Sequence, residues 1–416
     1  MRKFVEEHYR ELLLILITVL AVSKWWIPDV RGFEKMYAAS HWVLSYDHGL
    51  IRRGLVGTIL QVWFPIVTIK DVHLVSSIAY CTFLALLLAL SYFLLRDRDK
   101  EGTLFRLILV FLVNPASIAM LANDLGRFDL FLVMIAFLIL SLMLLNKHFW
   151  LIPILMFSAM FIHEGFLILY APTILSTLLF IYLWSGREKR ILRTLFFSVT
   201  SVLVPFFILY NYGGPRLGYE EFLQFIQSRA AFSISPLSIR ESYFSMSDHY
   251  ALASSSLYDA GSIANLFLAL LILSPVILIL VNLWTHAQKN CRTLDRSCGF
   301  VFLATLSGLM IVPVATDYGR WLSGVVFCNF FVVFFLVGKG LIKVEDLVEY
   351  ARGSFALLFV VLLMTYLLFG PLHDWNPYPY KDNLIVSSLA IISVLLFDLG
   401  FFLRWRSLNK VLFSER

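Results

Sequence analysis

A short stretch near the start of the chain concentrates reactive side chains in an otherwise apolar sequence. The segment 46–57 reads YDHGLIRRGLVG and contains Asp47, His48, Arg52 and Arg53. A carboxylate can accept a proton from a hydroxyl group, an imidazole can bind or transfer a proton, and two guanidinium groups can hold a phosphate. Together, these residue types suit the transfer of a group that is attached to phosphate.

Similar polar groups recur in turns that separate later apolar runs. Because ionisable side chains next to hydrocarbon are costly, such groups usually mark a function. Two pairs also have a purely structural explanation. Arg52 and Arg53 could snorkel to lipid phosphates, and Asp124 and Arg127, three residues apart, could form a local ion pair. The later groups are Asp124, Arg127 and Asp129; His163 and Glu164; Asp248 and His249; Asp317 and Arg320; and His373 and Asp374.

Apolar helices must position these groups, because hydrophobic residues make up 60% of the 416 positions and charged residues only 15%. Several apolar runs approach or exceed the roughly 18 residues that cross a bilayer core. The pattern predicts an all-α polytopic transmembrane helix bundle of about 12 spans, a single integral membrane domain over 1–416. The predicted spans are 11–28, 72–95, 105–122, 129–146, 149–163, 165–184, 194–212, 263–284, 298–314, 321–338, 353–370 and 383–402.

The distribution of basic residues predicts the orientation of the bundle. Most of the 34 Lys and Arg residues lie near the N-terminus and in alternate loops, including 96–106, 187–193, 289–296 and 404–416. By the positive-inside rule these loops and both termini are cytoplasmic, so the polar turns face outward. The net charge of +6 is then mostly an orientation signal, and no nucleic-acid partner is expected.

The cysteines do not indicate a disulfide framework or a metal knuckle. Cys81 and Cys328 lie in predicted spans, and Cys291 and Cys298 lie in a basic loop. A divalent metal near His163 and Glu164 is compatible with the sequence, but an adjacent His-Glu pair without a second ligand at helical spacing does not support one. No metal ligand and no cofactor are therefore assigned.

Two outer loops are long. In the loop 29–71, the run Gly54 to Trp63 predicts a short helix that lies in the membrane interface or re-enters it. If residues 48–57 were helical, His48 and Arg52 would share one face. The loop 213–262 contains an amphipathic candidate, Glu220 to Ala231, and its length is typical of a functional loop or lid.

Two turns share the pattern D-x-G-R-aromatic. They are Asp124 to Phe128 and Asp317 to Trp321, and both occupy equivalent positions if spans one to six are superposed on spans seven to twelve. A parallel six-plus-six repeat is one explanation. Ordinary turn chemistry is the other, with glycine supplying an unusual backbone angle and aspartate capping the next helix.

An outward pocket with arginines and carboxylates, walled by lipid-facing helices, suits a substrate with an anionic head and an apolar tail. Arginines would stabilise a departing phosphate, and a carboxylate would activate a sugar hydroxyl. The chemistry predicted is transfer from a polyprenyl-phosphate-linked sugar to a glycan acceptor. The candidate catalytic residues are Asp47, Glu164 and Asp124, and the candidate phosphate- or substrate-binding residues are His48, Arg52, Arg53, Arg127, Asp129, His163, Asp317 and Arg320.

With its span number, its long outer loops and an acid in the first of them, the chain resembles the polytopic bacterial GT-C-type glycosyltransferases of surface polysaccharide. These include serotype-converting O-antigen glucosyltransferases and, more broadly, O-antigen polymerases. The resemblance implies an inner-membrane enzyme of lipopolysaccharide biosynthesis whose active face is extracytoplasmic. It also implies an acidic base in the first outer loop, which would be Asp47 or, alternatively, Glu34.

Two other functions stay open. A polysaccharide polymerase of the kind named above uses arginines of outer loops, a part that Arg216, Arg229 and Arg240 would play here. A transporter of lipid-linked glycans would also explain twelve spans, a repeat and intramembrane charge. It predicts Gly- or Pro-broken helices and polar residues in mid-span, whereas the predicted spans of this sequence carry nearly all of their charges at their ends.

Overall fold

A computed structural model of the protein describes residues 2–23, 33–98, 102–243, 260–290, 295–311, 317–342, 388 and 391–400. Over these residues the chain is helical, and no strand is formed beyond one isolated β-bridge. The helices are α1 (Arg2–Ser23), α2 (Phe33–Ser40), α3 (Gly54–Leu60), α4 (Ile69–Arg98), α5 (Thr103–Val113), α6 (Ile118–Asn123), α7 (Asp129–Leu145), α8 (Leu151–Ile162), α9 (Phe166–Leu169), α10 (Ala171–Trp184), α11 (Lys189–Tyr212), α12 (Tyr219–Ser228), α13 (Pro236–Tyr243), α14 (Ala260–Asn290), α15 (Asp295–Thr305), α16 (Tyr318–Gly338) and α17 (Ile391–Gly400).

Within the described ranges, 6 helical segments are long and apolar enough to cross a membrane. The prediction of an all-α chain with membrane-spanning helices is therefore confirmed, whereas the number of spans and the side of each terminus stay predictions. The predicted span 353–370 lies outside the described residues. The six segments are Ile69–Arg96, Thr103–Asn123, Phe166–Trp184, Lys189–Tyr212, Leu266–Thr285 and Tyr318–Gly338.

The centre of the bundle is formed by helices that are apolar all around. α16 is buried along most of its length, and Phe111 of α5 packs against Phe327, Phe330 and Phe334 of α16 with ring centroids 5.1–5.8 Å apart. A helix that is hydrophobic on every face is stable only where neighbours surround it. α5 and α16 consequently form the inner layer, and α11, with its exposed phenylalanines, lies on the outside.

The predicted span 105–122 is not one continuous helix. α5 ends at Val113, and α6 begins only at Ile118. Pro115 has no backbone N–H for the helical ladder, and the side chain of Asn114 accepts a hydrogen bond from the N–H of Ala116 at 2.8 Å. The sequence itself ends the first helix and caps the break.

The polar stretch around Arg52 is not helical from Gly49 to Arg53, so the condition for His48 and Arg52 to share one helical face is not met. Arg53 has a left-handed backbone (φ 64), and α3 begins at the next residue. A Cβ atom at Gly57 would overlap the carbonyl oxygen of Leu44. Glycine therefore allows α3 to lie directly on the preceding loop, and this contact fixes the direction of Arg52 and Arg53.

The two long loops pack against each other over their described residues, 33–71 in the first loop and 213–243 in the second. Val67 of the first loop pairs with the second in a parallel bridge, donating to the carbonyl of Arg229 at 2.8 Å. Gly214 donates to the carbonyl of Leu50 at 2.9 Å, and Arg216 to that of His48 at 2.7 Å. These backbone bonds place the second loop, with α12 and α13, over the first.

Candidate functional site

Arg53 is the centre of a buried group of charges beneath these loops. Its guanidinium group donates to both carboxylate oxygens of Glu164, at 3.1 and 3.4 Å. Arg52 lies 3.7 Å from the same carboxylate, and its own side chain is only 4% exposed. The first long loop and the turn between α8 and α9 thus share one compact ion cluster, as their polar residues had suggested.

A second ion cluster lies beside the first. Arg320, at the start of α16, donates to Asp129 at 2.7 and 3.1 Å and to Asp317 at 2.7 Å. His163 is within electrostatic reach of both Arg53 and Arg320. The turns before α7, after α8 and before α16 therefore meet at one end of the bundle, with His163 between the two clusters.

Three residues of the first cluster were missed by the sequence analysis. His41 accepts a hydrogen bond from Arg53 at 3.0 Å, Glu241 of α13 lies 3.6 Å from Arg53, and the Tyr37 hydroxyl donates to Glu241. Tyr37 and His41 are four residues apart, a spacing that places them on one helical face. That spacing was a usable signal, whereas nothing in the sequence connects Glu241 to Arg53.

His41 and His163, the two histidines of the ion clusters, are neutral. Burial and the nearby Arg53 lower the pKa of His41 well below its usual value and lower that of His163 to about 3. The Nδ1 atom of His163 accepts a hydrogen bond from the N–H of Gly165 at 2.9 Å. The proton of this neutral imidazole is therefore on Nε2, which is a donor.

Glu164 stays ionised. Burial would raise its pKa, but Arg53 and Arg52 hold the pKa of this carboxyl group well below its usual range. Burial alone would lower the pKa of Arg53, but the nearby carboxylates of Glu164 and Glu241 outweigh burial and raise it. An ionised carboxylate between two arginines keeps their charge in place and fixes their direction.

Asp47 and His48 lie at the junction of the two loops, in contacts of their own. Asp47 accepts hydrogen bonds from Arg229 at 3.1 Å and from Ser45 at 2.7 Å. Its side chain is 45% exposed, unlike the carboxylates of the two ion clusters. The ring of His48 meets the edge of Phe225 of α12, with ring centroids 4.2 Å apart.

The D-x-G-R turns contribute in different ways. Asp124 and Arg127 approach to 4.0 Å, and the guanidinium of Arg127 lies over the ring of Tyr37 at 5.4 Å. Gly126 has φ +105, whereas Gly319 lies inside α16. The two turns thus share the sequence pattern D-x-G-R but differ in backbone conformation, and the six-plus-six repeat stays a hypothesis.

Several candidates lie outside the described residues or side chains: Asp248, His249, His373 and Asp374, and the side chain of Glu34. Arg216 and Arg240 of the second loop are exposed. In the part of the chain that the structure describes, no three His, Cys, Asp or Glu side chains are grouped to hold a metal ion.

The site can hold an anion more readily than it can remove a proton. Four arginines (Arg52, Arg53, Arg127 and Arg320) and the Nε2–H of His163 are gathered at one end of the bundle. The carboxylates beside them are engaged by these same arginines. Comparison with protein-family profiles, curated proteins and solved structures finds no match to this chain.

Proposed function

We propose that the protein is a membrane glycosyltransferase that moves a sugar from a polyprenyl-phosphate donor to a lipid-linked or lipopolysaccharide O-antigen glycan. The observation that carries this proposal is the arginine group, Arg52, Arg53, Arg127 and Arg320, which lies largely buried beneath the two long loops. Guanidinium groups held in fixed directions match phosphate oxygens, and fixed positive charge stabilises a departing phosphate without reorganisation. Apolar helices beside the group suit the polyprenyl chain of the donor.

In this mechanism Arg52, Arg53 and Arg320 bind the donor phosphate. The Nε2–H of His163 donates a further hydrogen bond to a phosphate oxygen. The acceptor hydroxyl attacks the anomeric carbon, its proton passes to a carboxylate, and the bond to phosphate breaks. The leaving phosphate keeps the electron pair of that bond and is stabilised by the arginines.

Asp47 is the best placed of the three candidate bases. Its carboxylate is half-exposed at the junction of the loops, where a glycan can reach it. Glu164 is engaged by two arginines, and its depressed pKa makes it a weak base. We therefore assign Glu164 a positioning role toward Arg52 and Arg53, and Asp124 a similar role toward Arg127.

We place the site on the extracytoplasmic face of a bacterial inner membrane, in a twelve-span chain with both termini cytoplasmic. The positive-inside rule supports this orientation. At the other end of the bundle, the C-terminus of α7 lies beside the N-terminus of α11. There Arg190 lies 3.5 Å from the side chain of Asn146 and over the ring of Phe149. That end carries the basic loop 187–193.

The test is replacement of single residues, with the surface glycan read on a gel at equal protein expression. Asp47→Asn, Arg53→Lys and Arg320→Lys are expected to abolish the added sugar, because each removes a base or an arginine fork. Arg106→Ala, an exposed arginine remote from the site, is the matched control and should leave the glycan unchanged. Unchanged glycan in all three site variants would contradict the proposal.

The same gel separates two products. A glycan of normal length that lacks one sugar supports the single-sugar transferase. A glycan that stops after one repeat unit indicates the polymerase instead, and this outcome would overturn the proposed reaction while keeping the phosphate site.

The break between α5 and α6 favours a second candidate, a transporter of lipid-linked glycans. Discontinuous helices often supply backbone groups to transported substrates. Here Ser323 donates to the carbonyl of Ala116 at 2.6 Å, and Tyr80 to that of Ile118 at 2.8 Å. The protein itself thus satisfies these carbonyls, which makes them poor ligands. Sugar transfer by purified protein in detergent would exclude transport as the primary activity.

A further inference from the structure

A groove of about 850 Å³ runs between α8 and α11, away from the arginine group. Both helices begin at the end of the bundle that carries Arg190, and both finish at the end that carries His163 and Gly213. The groove covers the first part of both helices. Its lining includes Trp150, Ile154, Arg190, Arg193, Phe197 and Thr200.

The groove changes character along its length. Its mouth carries His148, Arg190 and Arg193, all on the surface. Its walls beyond Thr194 are mainly apolar. The distance from Thr194 to Val204 along α11 is roughly 15 Å, from a rise of about 1.5 Å per residue. One leaflet of a bilayer has a hydrocarbon depth of about 15 Å, half of the core. The apolar part of the groove is therefore one leaflet deep.

Charge at the mouth favours an anion. The side chain of Arg190 is 55% exposed and lies 3.6 Å from Glu188, which is itself 47% exposed. Such a surface pair is weak and leaves the guanidinium accessible. The N-termini of α8 and α11 also lie at this end, and their dipoles add positive potential. No acid is found among the described lining residues.

The walls face the lipid region. Ile154 is 52% exposed, Phe197 57% and Val204 44%, and Trp150, at 65% exposure, lies beside the basic mouth. Tryptophan is enriched at the boundary between headgroups and hydrocarbon. The groove therefore spans from the headgroup level to mid-bilayer.

We propose that this groove is a binding site for one anionic phospholipid. An acyl chain occupies the apolar walls, and the headgroup phosphate binds Arg190 and Arg193. The occupant is a bilayer lipid of the leaflet nearest Arg190, and the site does not depend on the proposed glycosyl transfer at the other end of the bundle.

The test measures the thermal midpoint of the purified full chain in detergent with added phosphatidylglycerol, phosphatidylcholine or inorganic phosphate. A lipid that binds only the folded protein raises the midpoint in proportion to its affinity. We expect phosphatidylglycerol alone to raise it, since the zwitterionic lipid lacks net charge and free phosphate lacks an acyl chain. An equal rise with phosphatidylcholine, or a rise with phosphate alone, would overturn the proposal.

Variants test the two parts of the site separately. Arg190→Ala combined with Arg193→Ala should weaken the apparent Kd for phosphatidylglycerol by about tenfold or more, whereas Lys189→Ala, an exposed lysine outside the groove, should not. Thr200→Phe fills the groove and should abolish the lipid-induced rise. Leu203→Phe is its control, because Leu203 is exposed on the same helix but does not line the groove. Binding that survives both the arginine pair and Thr200→Phe would contradict the site.

Discussion

Arg53 and Glu164 are 111 positions apart in the sequence, yet the guanidinium of Arg53 donates to both oxygens of the Glu164 carboxylate. This contact joins the first long loop to the turn after α8. It also places Arg52 within 3.7 Å of the same carboxylate. Two adjacent cations are therefore held in fixed directions by one buried anion, and the loop that carries them cannot move independently of the bundle.

Glu164→Gln should destabilise the protein strongly. Removing one charge of a buried pair leaves its partner uncompensated and typically costs about 3–5 kcal/mol. Glu188→Gln is the matched control, since Glu188 forms an ion pair with Arg190 that is about half-exposed. A surface pair of this kind contributes about 0–1 kcal/mol. Thermal unfolding in detergent measures both, and equal shifts for the two variants would show that the Arg53–Glu164 contact is not buried as described.

Acid should weaken the protein through His163. The pKa of this imidazole is about 3 in the folded protein and about 6.5 when unfolded. Between these values the unfolded chain binds more protons, so its contribution to stability is complete above about pH 6.5 and is lost as the pH falls toward 3. The slope has a ceiling of about 1.4 kcal/mol per pH unit.

His163→Asn tests this pH dependence. An Asn side chain can accept from the N–H two residues later, as the Nδ1 of His163 does with Gly165, but it does not titrate. We expect the thermal midpoint of the variant to fall less than that of the wild type between pH 7 and 5. His41, whose pKa burial also lowers, contributes in the same direction in both proteins, so the difference between the two curves reports His163. Parallel curves for the two proteins would contradict a neutral, buried His163.

The grouping of the polar turns was predictable. Each turn lies between two apolar runs that are predicted to cross the membrane, so the charged turns should lie at the same end of the bundle. Which side chain contacts which partner was not predictable. Asp47 and Arg53 are six residues apart, but the left-handed backbone at Arg53 and the late start of α3 at Gly54 direct them to different partners. The position of Glu241, 204 residues from Tyr37, depends on how two long loops fold over one another, and no local pattern encodes that.

Gly57→Ala should disturb the first loop. A Cβ atom there would overlap the backbone oxygen of Leu44 and come within 2.7 Å of that of Trp42. Because these are backbone atoms in a packed loop, overpacking should cost about 1–3 kcal/mol. Gly218→Ala is the control, since its Cβ atom would meet nothing closer than Glu221 at 3.9 Å. Equal thermal midpoints for Gly57→Ala and the control would contradict the close approach of α3 to Leu44.

Asp47 and Arg229 should be energetically coupled. Their ion pair joins the first loop to the second at 3.1 Å, and the backbone N–H of Val67 in the first loop donates to the carbonyl of the same Arg229. We expect Asp47→Asn and Arg229→Gln each to increase proteolysis of residues 213–243. The loss of loop-opening free energy in the double variant should be smaller than the sum of the two single losses by about 0.5 kcal/mol or more, which is the sign of a shared interaction. Strict additivity would show that the pair does not fasten the loops.

Glu241→Gln should strengthen phosphate binding, in contrast to Glu164→Gln. Glu241 lies on α13 of the second long loop, 3.6 Å from Arg53, and accepts a hydrogen bond from Tyr37. A donor phosphate would take the place of this carboxylate on Arg53, so wild-type binding includes the cost of displacing it. Neutralising Glu241 lowers that cost and leaves Glu164 to orient the arginine. Binding of a short polyprenyl phosphate to purified protein, followed by thermal shift, should tighten in Glu241→Gln and stay unchanged in Glu220→Gln, an exposed acid on α12. Weaker binding in Glu241→Gln than in the wild type would show that this carboxylate supports the phosphate site and does not occupy it.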